Sequence, residues 1–97
     1  MGGCTGKLHC AALAEAHGVE LPHQTQPTIG HVANLHLTAS QLHATKPCEL
    51  NDPSPRMHAV FEDPPRPIDG LFHLTQDPGL GLRVKEAELA RRRVPVA

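Results

Sequence analysis

The apolar positions near the start of the chain recur with helical spacing and then give way to a brief apolar run. A helix is predicted from about residue 6 to residue 17, with Thr5 as its N-cap and Gly18 as a left-handed stop. Residues 19–21 follow as a short predicted strand, which Pro22 ends.

The same alternation is repeated further along the chain. Thr28 is a candidate cap for a helix that runs to about Ser40, and residues 48–50 form a second short predicted strand. One face of that helix is predicted to consist of Ile29, Val32, Ala33, His36 and Leu37. Helices that alternate with strands in this way are typical of α/β proteins, so the two strands are predicted to be parallel.

The character of the chain changes from residue 51, where prolines preclude long helices. Asp69-Gly70 is a turn signal before an extended segment at 71–74, and 78–82 predicts a rigid turn and a short strand. A last helix is predicted at 85–92, with Leu89 facing inward. The chain therefore divides into 1–50 and a tail at 51–97.

Composition limits the core that these elements can build. The 97 residues include two Phe and no Trp or Tyr, so large side chains are scarce. Two strands without neighbours leave bare edges, which favours a piece of a larger sheet over a stable independent globule.

Charge and cysteine content exclude several classes of protein. A net charge of −1 gives no attraction to nucleic acid, and three cysteines without framework spacing argue against a disulfide-stapled secreted module. Apolar runs are too short to span a membrane, and a signal-peptide pattern is lacking. A cytoplasmic protein is expected.

Two residues are candidates for chemistry. His23 follows a proline at a predicted strand end, where its imidazole could abstract a proton, although spacing alone favours a loop histidine without a role. Glu49 follows Pro47-Cys48 within the second predicted strand and is either a pocket carboxyl or a solvent-facing one. His31 and His36 diverge around a helix and lack zinc-ligand spacing.

The order of short motifs resembles one enzyme family. The segments are Gly-Gly-Cys-Thr-Gly at 2–6, Ala-Ala-Leu-Ala-Glu-Ala-His-Gly-Val at 11–19, Pro22-His23 before Thr-Ile-Gly at 28–30, Cys48-Glu49-Leu50, and Asp69-Gly70 before Pro-Gly-Leu-Gly-Leu at 78–82. Together they resemble the C-terminal part of the barrel domain in enolase-superfamily enzymes of the mandelate racemase/muconate lactonizing enzyme type.

The resemblance implies a fold and a division of the chain. It implies an α/β fragment, the last two βα units plus the C-terminal tail of a (β/α)7β TIM-like barrel. Residues 1–50 then comprise helix 6, strand 7, helix 7 and strand 8 of that barrel, and residues 51–97 comprise a tail with short strands and a final helix.

The resemblance also implies a chemistry. The family enzymes use Mg²⁺ to stabilise an enediolate formed by proton abstraction next to a carboxylate, as acid-sugar dehydratases or as racemases and epimerases. The resemblance assigns His23 as the general base and Glu49 as a hydrogen-bond partner of the substrate carboxylate or enediolate. The family's metal carboxylates, its Lys base and the Asp partner of the His precede Gly2, so the chain alone is expected to bind no Mg²⁺ and to be inactive.

Two alternatives stay open beside a portion of a working enzyme. One is a truncated remnant that docks to another chain through its strand edges, and the other is a stand-alone His-rich metal-binding protein. The expected partners are a small carboxylate substrate such as a sugar acid, and an oligomer or another barrel fragment. Nucleic acid and membrane are not expected partners.

Overall fold

The computed structural model describes residues 2–21, 28–41, 47–50 and 55–96. Within these ranges the chain forms four helices in sequence order, namely α1 (Gly3–Ala16), α2 (Thr28–Ala39), α3 (Pro55–His58) and α4 (Glu86–Arg91). Two isolated antiparallel bridges, Phe61 with Val84 and Ile68 with Leu71, complete the regular hydrogen bonding of the described residues. None of the helices described is long and apolar enough to cross a membrane.

Helix α1 begins earlier than its sequence predicts. Gly2 is the N-cap, in the left-handed region at φ 34°, and its carbonyl accepts a hydrogen bond from the Gly6 amide at 3.2 Å. Thr5 therefore lies inside the first turn, and its prediction as the cap is wrong. A glycine reaches positive φ without steric cost, which allows the helix to start before the threonine.

The end of α1 is as predicted. Gly18 adopts φ 63°, its amide bonds the Glu15 carbonyl at 3.0 Å, and the Val19 amide bonds the Ala14 carbonyl at 2.9 Å. This pair of bonds is the Schellman arrangement, which satisfies carbonyls that the last helical turn leaves open. The chain is thereby turned out of α1 into residues 19–21.

Helix α2 has its predicted range to within one residue, but of the predicted inner face only Val32 and Leu37 are buried. Ile29, predicted to face inward, is 58% exposed. The buried residues of this helix are Thr28, His31, Val32, Asn34, Leu35 and Leu37. Thr28 is the first helical residue, and its buried hydroxyl has no hydrogen-bond partner among the described residues, so a capping role for it is not seen.

A polar contact joins the two long helices. The Lys7 ammonium on α1 donates a hydrogen bond to the Asn34 side-chain oxygen on α2 across 2.5 Å. Asn34 is buried, and a buried amide left without partners would cost free energy. The contact explains how a polar residue occupies the inner face of α2.

The two predicted parallel strands differ from what the structure describes. Residues 19–21 and 47–50 belong to neither a helix nor a strand. A strand is stabilised by ladders to its neighbours, and in the described residues neither segment has such a neighbour. The barrel arrangement of this half of the chain is therefore an expectation that rests on the sequence.

The tail is organised by its two bridges. Around Phe61 and Val84, the Glu62 amide bonds the Arg83 carbonyl at 2.9 Å and the Lys85 amide bonds the Val60 carbonyl at 2.8 Å. These bonds hold the start of the tail against the segment that leads into α4. The rigid turn predicted at 78–82 is present, with the Gly81 amide bonded to the Pro78 carbonyl at 3.3 Å, but the short strand predicted with it is not formed.

The second bridge closes the predicted turn at Asp69-Gly70. Asp69 and Gly70 have φ values of 50° and 77°, and the amides of Ile68 and Leu71 bond each other's carbonyls at 2.8 and 2.9 Å. Two successive positive φ values are the signature of a type I′ turn, for which Asp-Gly is a preferred pair. The turn prediction is confirmed.

Helix α4 lies within its predicted range but not in its predicted orientation. Leu89 is 50% exposed, so its inward placement is wrong. A polar contact connects α4 to α3. The guanidinium of Arg92, which follows α4, donates a hydrogen bond to the Arg56 carbonyl at 2.8 Å. The Glu88 carboxylate pairs with the Arg91 guanidinium, and one of its oxygens lies 3.9 Å from Nε of Arg92. Charged pairs therefore dominate at α4, where the sequence predicted an apolar contact by Leu89.

The core of the described residues is small. Its buried hydrophobic side chains are Val32, Leu35, Leu37 and Phe61. Larger hydrophobic residues with substantial exposure include Leu8, Leu13, Val19, Ile29, Leu50, Met57, Ile68, Leu71, Leu89 and Val94. The radius of gyration is 15.3 Å, against about 13 Å for a compact domain of about 100 residues. The chain is open and exposes much apolar surface.

Candidate functional site

The two residues predicted to carry chemistry stand differently in the structure. His23 lies outside the described residues, as do its neighbours from 22 to 27. Leu21, two positions earlier, is partly buried. Glu49 is described, and its side chain is exposed. We predict that His23 and Glu49 lie at the same end of the two predicted strands, and this stays a prediction because His23 lies outside the described residues.

The segment that carries Glu49 packs against the end of α2. The Cys48 thiol lies 4.0 Å from the Thr38 hydroxyl, which itself donates to the Asn34 carbonyl at 2.8 Å. Cys48 is partly buried, and the next residue, Glu49, faces solvent. An exposed carboxylate beside a helix end can accept a hydrogen bond from a ligand that arrives from solvent.

A cleft of about 310 Å³ opens between α1, residues 19–21 and the residues that follow α2. It is lined by Leu8, Ala11, Ala12, Ala14, Glu15, Val19, Glu20, Leu21, Ser40 and Gln41. Most of these residues are apolar, and Leu8 and Val19 are exposed within an open cleft. Such a surface suits the packing of further protein better than the binding of a charged substrate.

His31 is a buried residue that sequence reasoning considered only as a metal ligand. It is 5% exposed, and its ring meets that of Phe72 edge to face, with centroids 4.8 Å apart. Its Nε2 atom has no hydrogen-bond partner among the described residues. Burial lowers the pKa of His31 below 6.5, and the charge of His58 lowers it further. Burial therefore favours the neutral form of this imidazole, whose ring lies against Phe72.

A pattern in the sequence could have revealed this role. Thr28, His31, Val32 and Leu35 fall at i, i+3, i+4 and i+7, and all four are buried. Thr28 and His31 are polar, so a search for apolar residues at helical spacing does not detect this inner face. The structure thus places His31 in the core that joins α2 to the tail.

The described residues do not provide a metal site. Across 2–21, 28–41, 47–50 and 55–96, no group of three or more His, Cys, Asp or Glu side chains could hold an ion. Mg²⁺ needs several oxygen ligands in octahedral geometry. This part of the chain therefore does not fit the metal that the resemblance implies.

Comparison with known proteins identifies the family. The family described as "Enolase C-terminal domain-like" matches residues 1–88. The chain belongs to this enolase C-terminal domain-like family. Within the enolase superfamily it is of the mandelate racemase/muconate lactonizing enzyme type, and it corresponds to the C-terminal domain region.

A relative and solved structures agree with this assignment. Muconate cycloisomerase 1 from Pseudomonas putida is 34% identical over 92 residues, which cover 93% of this chain and 24% of that protein. A crystal structure of a mandelate racemase/muconate lactonizing protein from Paracoccus denitrificans Pd1222 is 56% identical, with a TM-score of 0.85 over 95% of this chain and 25% of that one. A second crystal structure of that protein, complexed with magnesium, matches equally.

The matches cover nearly all of this chain but only part of each relative. The enolase C-terminal domain-like chain spans about a quarter of the length of the relatives that it matches. The match supports an α/β fragment of a mandelate racemase/muconate lactonizing family enzyme. Family enzymes of this type act on small carboxylate substrates.

Proposed function

We propose that this chain is the C-terminal portion of a Mg²⁺-dependent mandelate racemase-type enzyme that removes a proton next to a carboxylate. The reaction class is acid-sugar dehydration, racemisation or epimerisation. In this proposal residues 1–50 form the last two βα units of a (β/α)7β barrel, and residues 51–97 form the tail. The chain alone is inactive.

The observation that supports this proposal is the match to the Paracoccus denitrificans protein, at 56% identity and a TM-score of 0.85 over 95% of the chain. Identity at this level along nearly the whole chain favours a shared architecture and a shared reaction class. The magnesium complex of that protein supports Mg²⁺ as the metal of the whole enzyme. We assign the metal ligands to the part of the enzyme outside this chain, as the family resemblance implies.

In the proposed reaction His23 is the general base and takes the proton from the carbon next to the substrate carboxylate. Its imidazole is suited to the task because its charge changes near neutral pH. Glu49 stabilises the negative charge that develops on the substrate oxygens, for which it must be protonated or share a proton with the substrate. The exposure of Glu49 agrees with a side chain available to a ligand.

The chain as a docking fragment without catalysis of its own is a second candidate. The apolar lining of the cleft beside α1 favours it, since Leu8 and Val19, which both line that cleft, are 45% and 60% exposed. Apolar side chains gathered on one surface mark a protein interface. The occupant that fits this surface is the remaining three quarters of a relative of the same family, which includes the rest of its barrel.

One reconstitution experiment tests both candidates. The front part of the Paracoccus denitrificans protein, ending where its match to this chain begins, is co-expressed with the 97-residue chain. Hydrogen exchange at the carbon next to the carboxylate is then followed in D₂O for a panel of sugar acids with Mg²⁺. We expect exchange by the reconstituted pair and none by the chain alone.

Variants decide between the candidates. His23→Ala in the pair should lower the exchange rate by about 10²- to 10⁴-fold, the usual contribution of a general base. Glu49→Gln should also lower it, whereas His73→Ala, a change of an exposed tail histidine, should not. A pair that assembles without exchange would support the docking fragment. Mg²⁺- and His23-dependent exchange by the chain alone would contradict both candidates.

A further inference from the structure

A second open groove, of about 330 Å³, lies in the tail, away from Glu49 and the segment around it. Its walls come from α3, the residues around the Phe61–Val84 bridge and the proline-rich segment that follows. The charged or titratable side chains along it are His58, Glu62, Arg66 and Lys85. The proposed function assigns no role to any of them.

The balance of charge in this groove is positive although the chain carries a net charge of −1. Glu62 is the one carboxylate among its lining residues, and the Arg83 guanidinium neutralises it from 3.0 Å away. Arg66 and Lys85 have no carboxylate partner within the described residues. Two full positive charges and the half-buried imidazole of His58 therefore share one groove.

The backbone around the groove holds these groups in place. The Lys85 amide bonds the Val60 carbonyl at 2.8 Å, and the Glu62 amide bonds the Arg83 carbonyl at 2.9 Å. Phe61, which lies between Val60 and Glu62, is 6% exposed and lines the groove. Pro64 and Pro65 restrict the backbone immediately before Arg66. Cations on a restrained backbone lose less freedom when a ligand binds.

We propose that the groove lined by His58, Arg66 and Lys85 binds a small dianionic ligand, a phosphoryl group or a dicarboxylate. Arg66 offers the planar fork of donors that matches two oxygens of such an anion, and Lys85 adds a compact point charge. His58 donates a further hydrogen bond from its ring N–H. The Arg83 guanidinium offsets the negative charge of Glu62, which would otherwise repel the anion.

The test is an NMR titration of the full chain with three probes at constant ionic strength, namely inorganic phosphate at pH 7.5, malonate and acetate. We expect phosphate and malonate to shift the amide signals of Glu62, Arg66 and Lys85, and acetate to shift them far less. Tighter binding of phosphate than of malonate would identify a phosphoryl ligand, and the reverse order would identify a dicarboxylate.

Three variants give the test its specificity. Arg66→Gln and Lys85→Gln should each weaken phosphate binding by about two- to fivefold, as exposed ion pairs do. Arg93→Gln, a change of an exposed arginine outside the groove, should leave it unchanged. All three side chains are exposed, so the fold is retained. Equal weakening by Arg93→Gln, or binding of acetate as tight as that of phosphate, would overturn the proposal.

Discussion

The ring of Phe72 meets the imidazole of His31 edge to face, at an interplanar angle of 73° and a centroid distance of 4.8 Å. The two residues are 41 positions apart, one on α2 and the other in the tail after the Asp69-Gly70 turn. Aromatic pairs in this geometry stabilise a contact beyond the area that they bury. This pair links the first half of the chain to the second.

His31 should make the stability of the chain depend on pH. Because its folded pKa is lowered below 6.5, the unfolded chain takes up a proton more readily than the folded chain. The free energy of unfolding should therefore fall as the pH drops below about 6.5, until the pH reaches the lowered pKa of the folded state. Urea unfolding of the chain between pH 5 and pH 8 measures this dependence.

A matched pair of variants isolates the effect of His31. His31→Leu should flatten the pH dependence over this window, whereas His73→Leu, at an exposed position, should retain it. Parallel curves for the wild-type chain and His31→Leu would show that another group controls the dependence.

Phe61 should be the most important side chain for the stability of the tail. It is 6% exposed at the bridge to Val84, and truncation of a buried Phe to Ala typically costs about 3–5 kcal/mol. Phe61→Ala should therefore release the tail, seen as loss of amide-exchange protection at Glu62 and Lys85. Leu71→Ala, at a side chain that is 63% exposed, is the control and should retain that protection. Retained protection in Phe61→Ala would contradict the prediction.

Removal of the Lys7 ammonium should destabilise the contact between α1 and α2. Lys7→Met keeps most of the unbranched side chain but removes the ammonium, which leaves the buried Asn34 oxygen without this donor. We expect a loss of about 1–3 kcal/mol in the free energy of unfolding, as for hydrogen bonds to charged groups. Lys85→Met, at a lysine without a hydrogen bond from its ammonium in the described residues, should change it by less than about 0.5 kcal/mol.

Gly81 should tolerate a side chain less well than Gly79. Both have positive φ, 69° and 68°, but a β-carbon at Gly81 would clash with the Thr75 methyl, whereas one at Gly79 would meet open space. Gly79→Ala should show the backbone strain alone, and Gly81→Ala should be more destabilised by about 1 kcal/mol or more. Thermal unfolding measures both variants.

A double variant separates the clash from the strain at Gly81. Thr75→Ser removes the methyl group but keeps the hydroxyl that accepts a hydrogen bond from the Asp77 amide at 3.0 Å. In this background Gly81→Ala should cost no more than Gly79→Ala. An unchanged cost would show that the methyl contact is not its cause.

Local chemistry made several features readable in the sequence. Gly18 predicted the end of α1, and the Asp69-Gly70 pair predicted its turn, because positive φ is cheap for these residue types. The periodicity of α2 predicted its range for a similar reason, since helix formation depends on neighbours three and four positions apart. The order of short motifs also predicted the family, which the comparisons confirm.

Tertiary contacts decided what the sequence could not. The inner face of α2 includes Asn34 and His31, because Lys7 and Phe72 reach them from distant parts of the chain. Residues 19–21 and 47–50 have strand-like composition but no ladder in the described structure, because a strand depends on neighbours that its own sequence does not specify. The same holds for the roles predicted for His23 and Glu49. A catalytic role depends on groups brought together by the whole barrel, whereas a turn or helix end depends on a few adjacent residues.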